Sequence, residues 1–546
     1  MDRIISPRIS APMLILTVSL LLATTGNIKF WSTFLHAAGG VSPAQLPLLA
    51  GAFLIVLLFF NALLTLASFR WIAKPLLIAL LLSASFASYF ILKYGIVIDK
   101  AMIQNLFETD TREAGELLSG KLALWVGALG VLPSLYVARA RISFPQGLRG
   151  ILRRSGIAAG SLALAALLLV LLFKSLAPTL REHRELRYLL TPTNYIQALH
   201  GYLRSKWSKP AAIAPLGRDA VKGKAWAGQA RKTVTVIVVG ETARAQNFSL
   251  NGYARETNPM LARVPGLVNF TNVQSCGTAT AVSVPCVFSA MGRERYDSDK
   301  AHHQEGLLDV LKHAGFRVVW IDNNSGCKDT CKRVEFLDVS TPSPGAPHCA
   351  GDECYDEHLL DGLPELIRSS DRDLVVVLHQ KGSHGPAYAK RYPAGFGRFG
   401  PVCDSNDFEK CSRESIRDAY DNTILYTDSF LAGTISLLRT TAESEGRDTA
   451  MLYFSDHGES LGEGNMYLHG APWLFAPKEQ TQVPMMLWMS EGFSERFGID
   501  RTCLAARRQQ PLSHDNVFHS VLGMLDVDTA VLNPKLDLFH ACIRGS

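Results

Sequence analysis

The sequence predicts a membrane domain of five helices followed by a large α/β domain with a mostly parallel sheet. Three observations carry this prediction. Five long apolar stretches lie within the first 175 residues, and all ten cysteines lie after residue 275. Strand-like and helix-like segments alternate from residue 232 onward. This division excludes both a single soluble globule and a pure multi-span transporter.

The composition supports the same division. The chain has 546 residues, of which 48% are hydrophobic and 19% are charged, against roughly 25% charged in soluble domains. Its 55 basic and 49 acidic residues leave a net charge of +6. That charge is too small for a chain of this length to indicate nucleic-acid binding, so we expect no nucleic-acid partner.

Each of the five apolar stretches is long enough to cross a membrane, which takes about 20 apolar residues. They cover residues 11–28, 46–68, 73–93, 121–138 and 155–173. The first could instead be a cleaved signal peptide, because Arg3 and Arg8 precede it. No small-residue cleavage site follows it directly, and four more stretches come after it. We therefore predict that it is retained as a span.

Basic residues in the short loops predict the orientation. Arg70 and Lys74 lie between the second and third spans. Five arginines and no acid lie between the fourth and fifth spans: Arg139, Arg141, Arg149, Arg153 and Arg154. Such loops stay in the cytoplasm. The N-terminus is then cytoplasmic, and everything after residue 174 lies outside.

The cysteines test this orientation independently, because disulfides persist in oxidising compartments and are rare in the cytosol. Spacing suggests four close pairs and a fifth pair at the C-terminal end: Cys276 with Cys286, Cys327 with Cys331, Cys349 with Cys354, Cys403 with Cys411, and Cys503 with Cys542. A zinc-ribbon interpretation is disfavoured, because the spacings vary too much.

Two segments flank the membrane on the predicted outer face. Residues 175–231 combine basic and aromatic residues with a later stretch rich in Pro, Ala and Gly. They are typical of amphipathic helices on a membrane surface, or of a simple spacer. Residues 94–120 carry five acids. They form either a solvated loop or a lid over a site at the membrane surface.

The soluble domain, residues 232–546, contains four near-continuous apolar runs. They cover residues 233–240, 317–322, 373–379 and 450–456. Such runs are typical of strands that helices bury on both faces. Helical patterns at residues 305–315 and 423–440 lie between them. The alternation predicts an α/β domain with a mostly parallel sheet.

Polar residues with metal-binding or acid-base capacity follow three of these strands. Glu241 follows the first, His379 and His384 belong to the end of the third, and Asp456 and His457 follow the fourth. Each residue alone is more often a cap or a structural group. Functional groups of α/β sheets collect beyond the carboxyl ends of the strands. Carboxylates and imidazoles gathered there suit a zinc ion with one open position.

A small-residue turn supplies a candidate nucleophile. Thr278 and Thr280 lie between Cys276 and Cys286, just before a predicted helix. A helix N-terminus favours a phosphate, and metal coordination lowers the pKa of a bound hydroxyl. A threonine cap in a disulfide-braced turn is the alternative. Spacing alone does not choose between the two threonines.

Four ordered motifs carry a resemblance to one known family. They are VGETARAQNFSLNGYARETNP, SCGTATAVSVPC, HQKGSHGP and FSDHGESLGE. With these motifs the chain resembles, over its whole length, the lipid A phosphoethanolamine transferases, which include the mobile colistin-resistance enzymes. The resemblance implies a catalytic domain of the alkaline-phosphatase and sulfatase type in the periplasm, anchored in the bacterial inner membrane by residues 1–174.

The resemblance also implies a role for individual residues. Thr280 matches the nucleophile, and it completes a zinc site with Glu241, Asp456 and His457. The substrate-binding residues implied by the resemblance are Lys328, His384, His469 and, after the third span, Asn105, Thr109 and Glu113. The two histidines also match positions that can hold additional zinc. These matches favour a functional role for the loop at residues 94–120.

The implied function is zinc-dependent transfer of phosphoethanolamine from phosphatidylethanolamine to lipid A through a phospho-threonine. The transfer would lower the negative surface charge and polymyxin susceptibility. One alternative is transfer to a Kdo or heptose of the lipopolysaccharide core. A membrane-anchored phosphatase or sulfatase is disfavoured, because the sulfatase C-x-P-x-R motif is absent. A non-catalytic sensor is disfavoured because no matched ligand is missing. We expect a monomer.

Overall fold

A computed structural model describes residues 8–43, 45–108, 115, 117–144, 147–183, 185–207, 212–342, 348–350 and 353–544. The chain divides into two compact units. One comprises Met1–Ile103 with Leu118–Arg204, and the other comprises Gln104–Leu117 with Ser205–Ser546. The predicted substrate contacts Thr109 and Glu113 lie outside the described residues.

The first unit contains the five predicted spans. The helices long and apolar enough to cross a membrane are Ala11–Ala37, Leu46–Ala67, Ala73–Tyr94, Gly120–Arg139 and Gly147–Leu171. Two boundaries differ from the prediction. The first helix continues beyond residue 28 after a short turn at Thr25–Asn27. The fifth begins eight residues before residue 155, because its arginine-rich turn is helical although it is not apolar.

Side chains at the helix ends hold this unit together. Arg154 of the fifth helix donates to the carbonyls of Thr65 and Leu66, at the end of the second helix. Asn27 donates to the Thr191 carbonyl over 2.6 Å and accepts from the Thr191 amide over 2.8 Å. Shorter helices lie after the third and fifth spans: Lys100–Glu108, Phe173–Glu182, Leu186–Leu189 and Thr193–Trp207.

The second unit is built around one eight-stranded sheet. We label its strands in chain order: β1 (Thr233–Gly240), β2 (Val268–Gln274), β3 (Arg317–Asp322), β4 (Glu335–Asp338), β5 (Leu374–His379), β6 (Asp448–Ser455), β7 (Gln482–Met489) and β8 (Leu512–Ser513). The order across the sheet is β8-β2-β7-β6-β1-β5-β3-β4. Only β7 is antiparallel to its neighbours β6 and β2. The α/β fold with a mostly parallel sheet is confirmed.

The central strands β1, β5 and β6 are buried along their whole length. Helices cover the sheet, and the longer ones are Thr280–Val287, Leu307–His313, Arg413–Glu445 and Asp515–Met524. The predicted helix at residues 423–440 lies within the third of these, which begins at a Ser412 cap and ends at Gly446.

Five disulfides brace the second unit, and each joins the two cysteines that the spacing suggests. They close loops that differ widely in length. Cys276 and Cys286 are 10 positions apart, whereas Cys503 and Cys542 are 39 apart. The first of these disulfides encloses the turn that carries both candidate nucleophiles.

Candidate active site

A buried cluster of three potential metal ligands lies at the carboxyl edge of the sheet. β1 and β6 are parallel neighbours, and Gly240 is in register with Ser455. The residues that follow these strands therefore meet. Ligand atoms of Glu241, Asp456 and His457 lie within 4.8 Å of one another. His457 Nε2 is 3.3 Å from Glu241 Oε1 and 3.3 Å from Asp456 Oδ2. All three residues are 0% exposed.

The structure brings Thr280, and not Thr278, to this cluster. The Thr280 hydroxyl lies 3.2 Å and 3.1 Å from the two carboxylate oxygens of Glu241. It lies 3.4 Å from His457 Nε2. Thr278 instead donates its hydroxyl hydrogen to the Ala471 carbonyl over 2.6 Å. Thr280 is also the first residue of its helix, so its hydroxyl lies at the positive end of the helix dipole.

The cluster suits a divalent cation. Two carboxylates and one imidazole are donors that zinc accepts, and three protein donors leave a position open. Asp456 Oδ2 is buried and receives no hydrogen bond from the described residues. A buried carboxylate oxygen without a donor is costly unless a cation or another partner compensates it. The second unit therefore contains a candidate metal site at this sheet edge.

Crowding of charge shifts the pKa values of all three groups. Burial raises the pKa of Glu241, but the hydrogen bond and charge of His457 outweigh it, and the net pKa is lowered. Burial and the neighbouring charge of Glu241 raise the pKa of Asp456 to about 6. Burial lowers the pKa of His457, but Asp456 and Glu241 outweigh burial and raise it to about 10. The carboxylates thus favour a positive charge among them.

Close backbone packing fixes the position of Glu241. Its carbonyl accepts a hydrogen bond from the Ser383 amide over 3.0 Å. Gly382 precedes this contact with a φ of +54°, and a Cβ there would lie 2.7 Å from the Glu241 carbonyl oxygen. Thr242, on the other side of Glu241, also has a positive φ of 53°. Only glycine fits at residue 382 without displacing the backbone of Glu241.

Asn324, two residues after the end of β3, contacts Glu241 directly, and sequence reasoning missed this role. Asn324 donates from Nδ2 to Glu241 Oε2 over 2.9 Å. His379, which the strand-end pattern singled out, does not belong to the three-ligand cluster. Its Nδ1 instead pairs with Asp322 Oδ1 at 2.7 Å. The strand-end rule could have identified both Asp322 and Asn324, because β3 ends at residue 322.

Ser283 and His514 link the Thr280 turn to the Asp456 strand. Ser283 donates to the Asp456 carbonyl over 2.5 Å. His514 accepts from the Cys276 amide at Nδ1 over 3.1 Å and donates from Nε2 to the Ser455 carbonyl over 3.0 Å. These bonds tie the turn that carries Thr280 to the end of β6 and to Asp456. No sequence signal identifies them, because residues 283, 455 and 514 are far apart in the chain.

The two histidines expected near the substrate phosphate lie next to the cluster. The rings of His457 and His469 are 4.4 Å apart, and those of His469 and His384 are 5.6 Å apart, measured between centroids. Glu459, which is 0% exposed, lies 3.4 Å from His469 Nδ1. Both predicted histidines are thus in a row of imidazole rings that ends at His457 of the cluster.

Two further predicted substrate residues, Lys328 and Asn105, lie in the described part of the chain. Lys328 is largely buried, and its ammonium donates to the backbone and the hydroxyl of Ser325. Ser325 follows Asn324 directly, which connects this loop to Glu241. Asn105 lies on helix Lys100–Glu108, in the stretch that groups with the second unit.

Comparison with known proteins gives matches over nearly the whole chain. Residues 56–207 match the family described as phosphoethanolamine transferase EptA/EptB, and residues 233–527 match the sulfatase family. Phosphoethanolamine transferase EptA of Escherichia coli K12 is 42% identical over 89% of this chain and 88% of its own length. Phosphatidylethanolamine transferase Mcr-1 of Escherichia coli is 39% identical over 95% of both chains.

A solved structure agrees with the fold of the whole chain. It is the integral membrane protein lipooligosaccharide phosphoethanolamine transferase A from Neisseria meningitidis, which is 35% identical and superimposes with a TM-score of 0.93. The match covers 98% of this chain and 99% of that chain. Together with the five apolar helices, it identifies a multi-pass inner-membrane enzyme whose soluble domain lies in the periplasm.

Proposed function

The chain belongs to the phosphoethanolamine transferase family, and we propose that it transfers phosphoethanolamine from phosphatidylethanolamine to lipid A through a covalent Thr280 intermediate. The observation that carries the proposal is the Thr280 hydroxyl, held 3.1 Å from a buried carboxylate oxygen of Glu241 and 3.4 Å from His457. An alcohol nucleophile needs such neighbours, because its own pKa keeps it protonated at neutral pH.

We propose that Glu241, Thr280, Asp456 and His457 hold a zinc ion. When bound, the ion would lower the pKa of the Thr280 hydroxyl and offset negative charge on the phosphoryl group. Glu241 and Asp456 supply the negative charge that retains a cation in a buried site. Glu241 also accepts the hydroxyl hydrogen bond of Thr280, which orients the nucleophile.

In the first step, Thr280 Oγ1 releases its hydroxyl proton to the medium and attacks the phosphorus of phosphatidylethanolamine. A bond forms between threonine oxygen and phosphorus, and the bond from phosphorus to the diacylglycerol oxygen breaks. Diacylglycerol leaves after receiving a proton, for which His384 and His469 are the nearest candidate donors around the cluster. Lys328 offsets the charge that develops on the phosphoryl oxygens.

In the second step, a phosphate oxygen of lipid A attacks the same phosphorus, the bond from phosphorus to the Thr280 oxygen breaks, and Thr280 regains its hydroxyl proton from the medium. The enzyme returns to its starting state, and lipid A gains phosphoethanolamine. Transfer masks a phosphate and adds an ammonium group, so attraction for polymyxins and other cationic peptides weakens. Asn105, Thr109 and Glu113 are proposed contacts of the ethanolamine group, for which carboxylate and amide oxygens are suitable acceptors.

Membrane anchoring fits this reaction, because the donor and the acceptor are both lipids of the inner membrane. A site in the periplasmic domain can meet lipids of the outer leaflet of that membrane. The proposed acceptor is supported by the relatives, one of which is a lipooligosaccharide phosphoethanolamine transferase. We propose that residues 1–174 form the membrane anchor, residues 175–231 a linker at the membrane surface and residues 232–546 the catalytic domain. We also propose that the protein acts as a monomer.

The test is expression in a Gram-negative host, followed by mass spectrometry of lipid A and of the core oligosaccharide. Wild type should add one phosphoethanolamine mass to lipid A. Thr280→Ala should add none, whereas Thr278→Ala should still transfer, because its hydroxyl bonds only the Ala471 carbonyl among the described residues. Modification confined to the core would overturn the acceptor assignment. Transfer by Thr280→Ala would overturn the covalent mechanism.

A further inference from the structure

An apolar groove of about 480 Å³ lies within the membrane unit, outside the site described above. Its volume is in the range of small-molecule sites, roughly 300–1,000 Å³. Ten of its twelve lining residues are apolar, and the other two are His183 and Arg187. Phe34 and Leu186, which form part of the wall, are 1% and 0% exposed.

The groove lies at the depth of the outer leaflet. Ala52 and Val56 line it from the outer end of the second span, six to ten residues inside the helix that begins at Leu46. At 1.5 Å per residue they lie about 9 to 15 Å from the helix end, within one leaflet of a core ~30 Å thick. Leu169 lines it from the last turn of the fifth span. An apolar space at this depth suits hydrocarbon and not water.

The two polar lining residues follow the outer end of the fifth span: His183 comes directly after helix Phe173–Glu182, and Arg187 lies in helix Leu186–Leu189. Arg187 is exposed, and its guanidinium stacks 4.5 Å above the Tyr188 ring and donates to the Tyr188 hydroxyl. No carboxylate of the described residues forms an ion pair with it. His183 is held 2.9 Å from Glu185. The groove therefore combines an apolar interior with a guanidinium at its surface end.

From this combination we infer that the groove binds a glycerophospholipid, with one acyl chain between the second and fifth spans and its phosphate on Arg187. Arginine binds phosphate through several parallel N–H donors, and basic residues beside transmembrane helices recognise lipid headgroups. The acyl chain fills the apolar interior of the groove and gives its lining side chains van der Waals contacts that an empty groove would not provide. The inference rests on the membrane unit alone and does not depend on the reaction at Thr280.

The test is native mass spectrometry of the full-length protein extracted in mild detergent, counting phospholipids retained per chain. Ala52→Trp should fill the groove and remove the retained phospholipid. Leu63→Trp is the matched control, because Leu63 lies on the same helix, is 43% exposed and does not line the groove. The control variant should retain lipid as wild type does.

A second pair of variants keeps the test decisive if Ala52→Trp fails to fold. Arg187→Glu should lower retention by roughly tenfold or more, the equivalent of one charge-assisted hydrogen bond. Arg187→Lys should retain most of it. The inference is overturned if folded Ala52→Trp, or Arg187→Glu, retains as much phospholipid as wild type. If the wild-type protein showed no transferase activity, the measured phospholipid retention would still test this inference.

Discussion

Asn324 Nδ2 donates a hydrogen bond to Glu241 Oε2 over 2.9 Å, and the same amide donates to the Gln380 carbonyl over 2.8 Å. Its own oxygen accepts from the Ser325 amide over 2.7 Å. Both polar atoms of the Asn324 side chain are thus engaged, and the orientation of the side chain is fixed. The bond to Oε2 fixes the carboxylate plane, so that Oε1 lies against His457.

Asn324→Ala should therefore weaken metal binding. Residues that orient a ligand in this way contribute about 10- to 100-fold to metal affinity. We expect a loss of that size in zinc affinity, measured by chelator competition on the full-length protein. Asn269→Ala is the control, since Asn269 also donates two hydrogen bonds, to Leu250 and Asn251. Equal zinc affinity in wild type and Asn324→Ala would refute this role.

Gly382→Ala should disrupt the same site from the backbone. Its positive φ alone costs an alanine about 1–2 kcal/mol, and its Cβ would meet the Glu241 carbonyl oxygen at 2.7 Å. Gly446 has a similar φ of +62°, but a Cβ added there would meet no atom of the described residues within 4 Å.

Both alanine variants should lower the unfolding midpoint, but only Gly382→Ala should also lower zinc affinity and transfer. Thermal unfolding and zinc titration of both variants separate backbone strain from the local clash. Identical zinc affinity in the two would show that the Glu241 backbone tolerates the added methyl group.

Removal of the Cys276–Cys286 disulfide should lower transferase activity more than the loss of stability alone would. This disulfide closes a loop of about 10 residues, and its removal as a double serine variant should cost about 3 kcal/mol. Removing Cys503–Cys542 should cost about 4 kcal/mol, because that loop is longer.

The two disulfides differ in what they hold. The first encloses Thr280, whereas the second joins helix Arg501–Ala506 to the last helical turn. We expect the larger loss of stability in the second variant and the larger loss of transfer in the first. If activity instead follows stability in both, the disulfide does not position the nucleophile.

Much of the fold could be predicted from the sequence, because its signals are local. Apolar stretches identify spans, and continuous apolar runs identify the buried strands and their ends. Glu241, Asp456 and His457 could be placed together because parallel strands share a carboxyl edge. The beginning of the fifth span could not be predicted. Arg149, Arg153 and Arg154 belong to its first turns, but they are too polar for hydropathy to include them in the span.

The finer parts of the site depend on tertiary contacts. Thr278 and Thr280 lie in the same short turn between Cys276 and Cys286, so the sequence does not distinguish them. The path of the backbone determines which hydroxyl contacts Glu241. Ser283 and His514 act through bonds to residues far away in the chain. These bonds depend on how the turn that carries Thr280 packs against β6, and they produce no periodic pattern in the sequence.

His514 provides a prediction about pH. It is fully buried, and burial lowers its pKa to about 3. Protonation would also remove its Nδ1 acceptor, which receives the Cys276 amide hydrogen bond. In the unfolded chain its pKa returns to about 6.5. The unfolded state therefore binds the extra proton first, and stability from this group is lost as pH falls from about 6.5 toward 3.

Between pH 7 and pH 5 this one histidine should lower the free energy of unfolding by about 2 kcal/mol. His514→Gln has no such group and should lose correspondingly less stability over this range, although its stability at pH 7 should be lower. Chemical unfolding of the full-length protein at each pH measures the difference. The same acid sensitivity in wild type and His514→Gln would mean that His514 does not stay neutral in the folded protein.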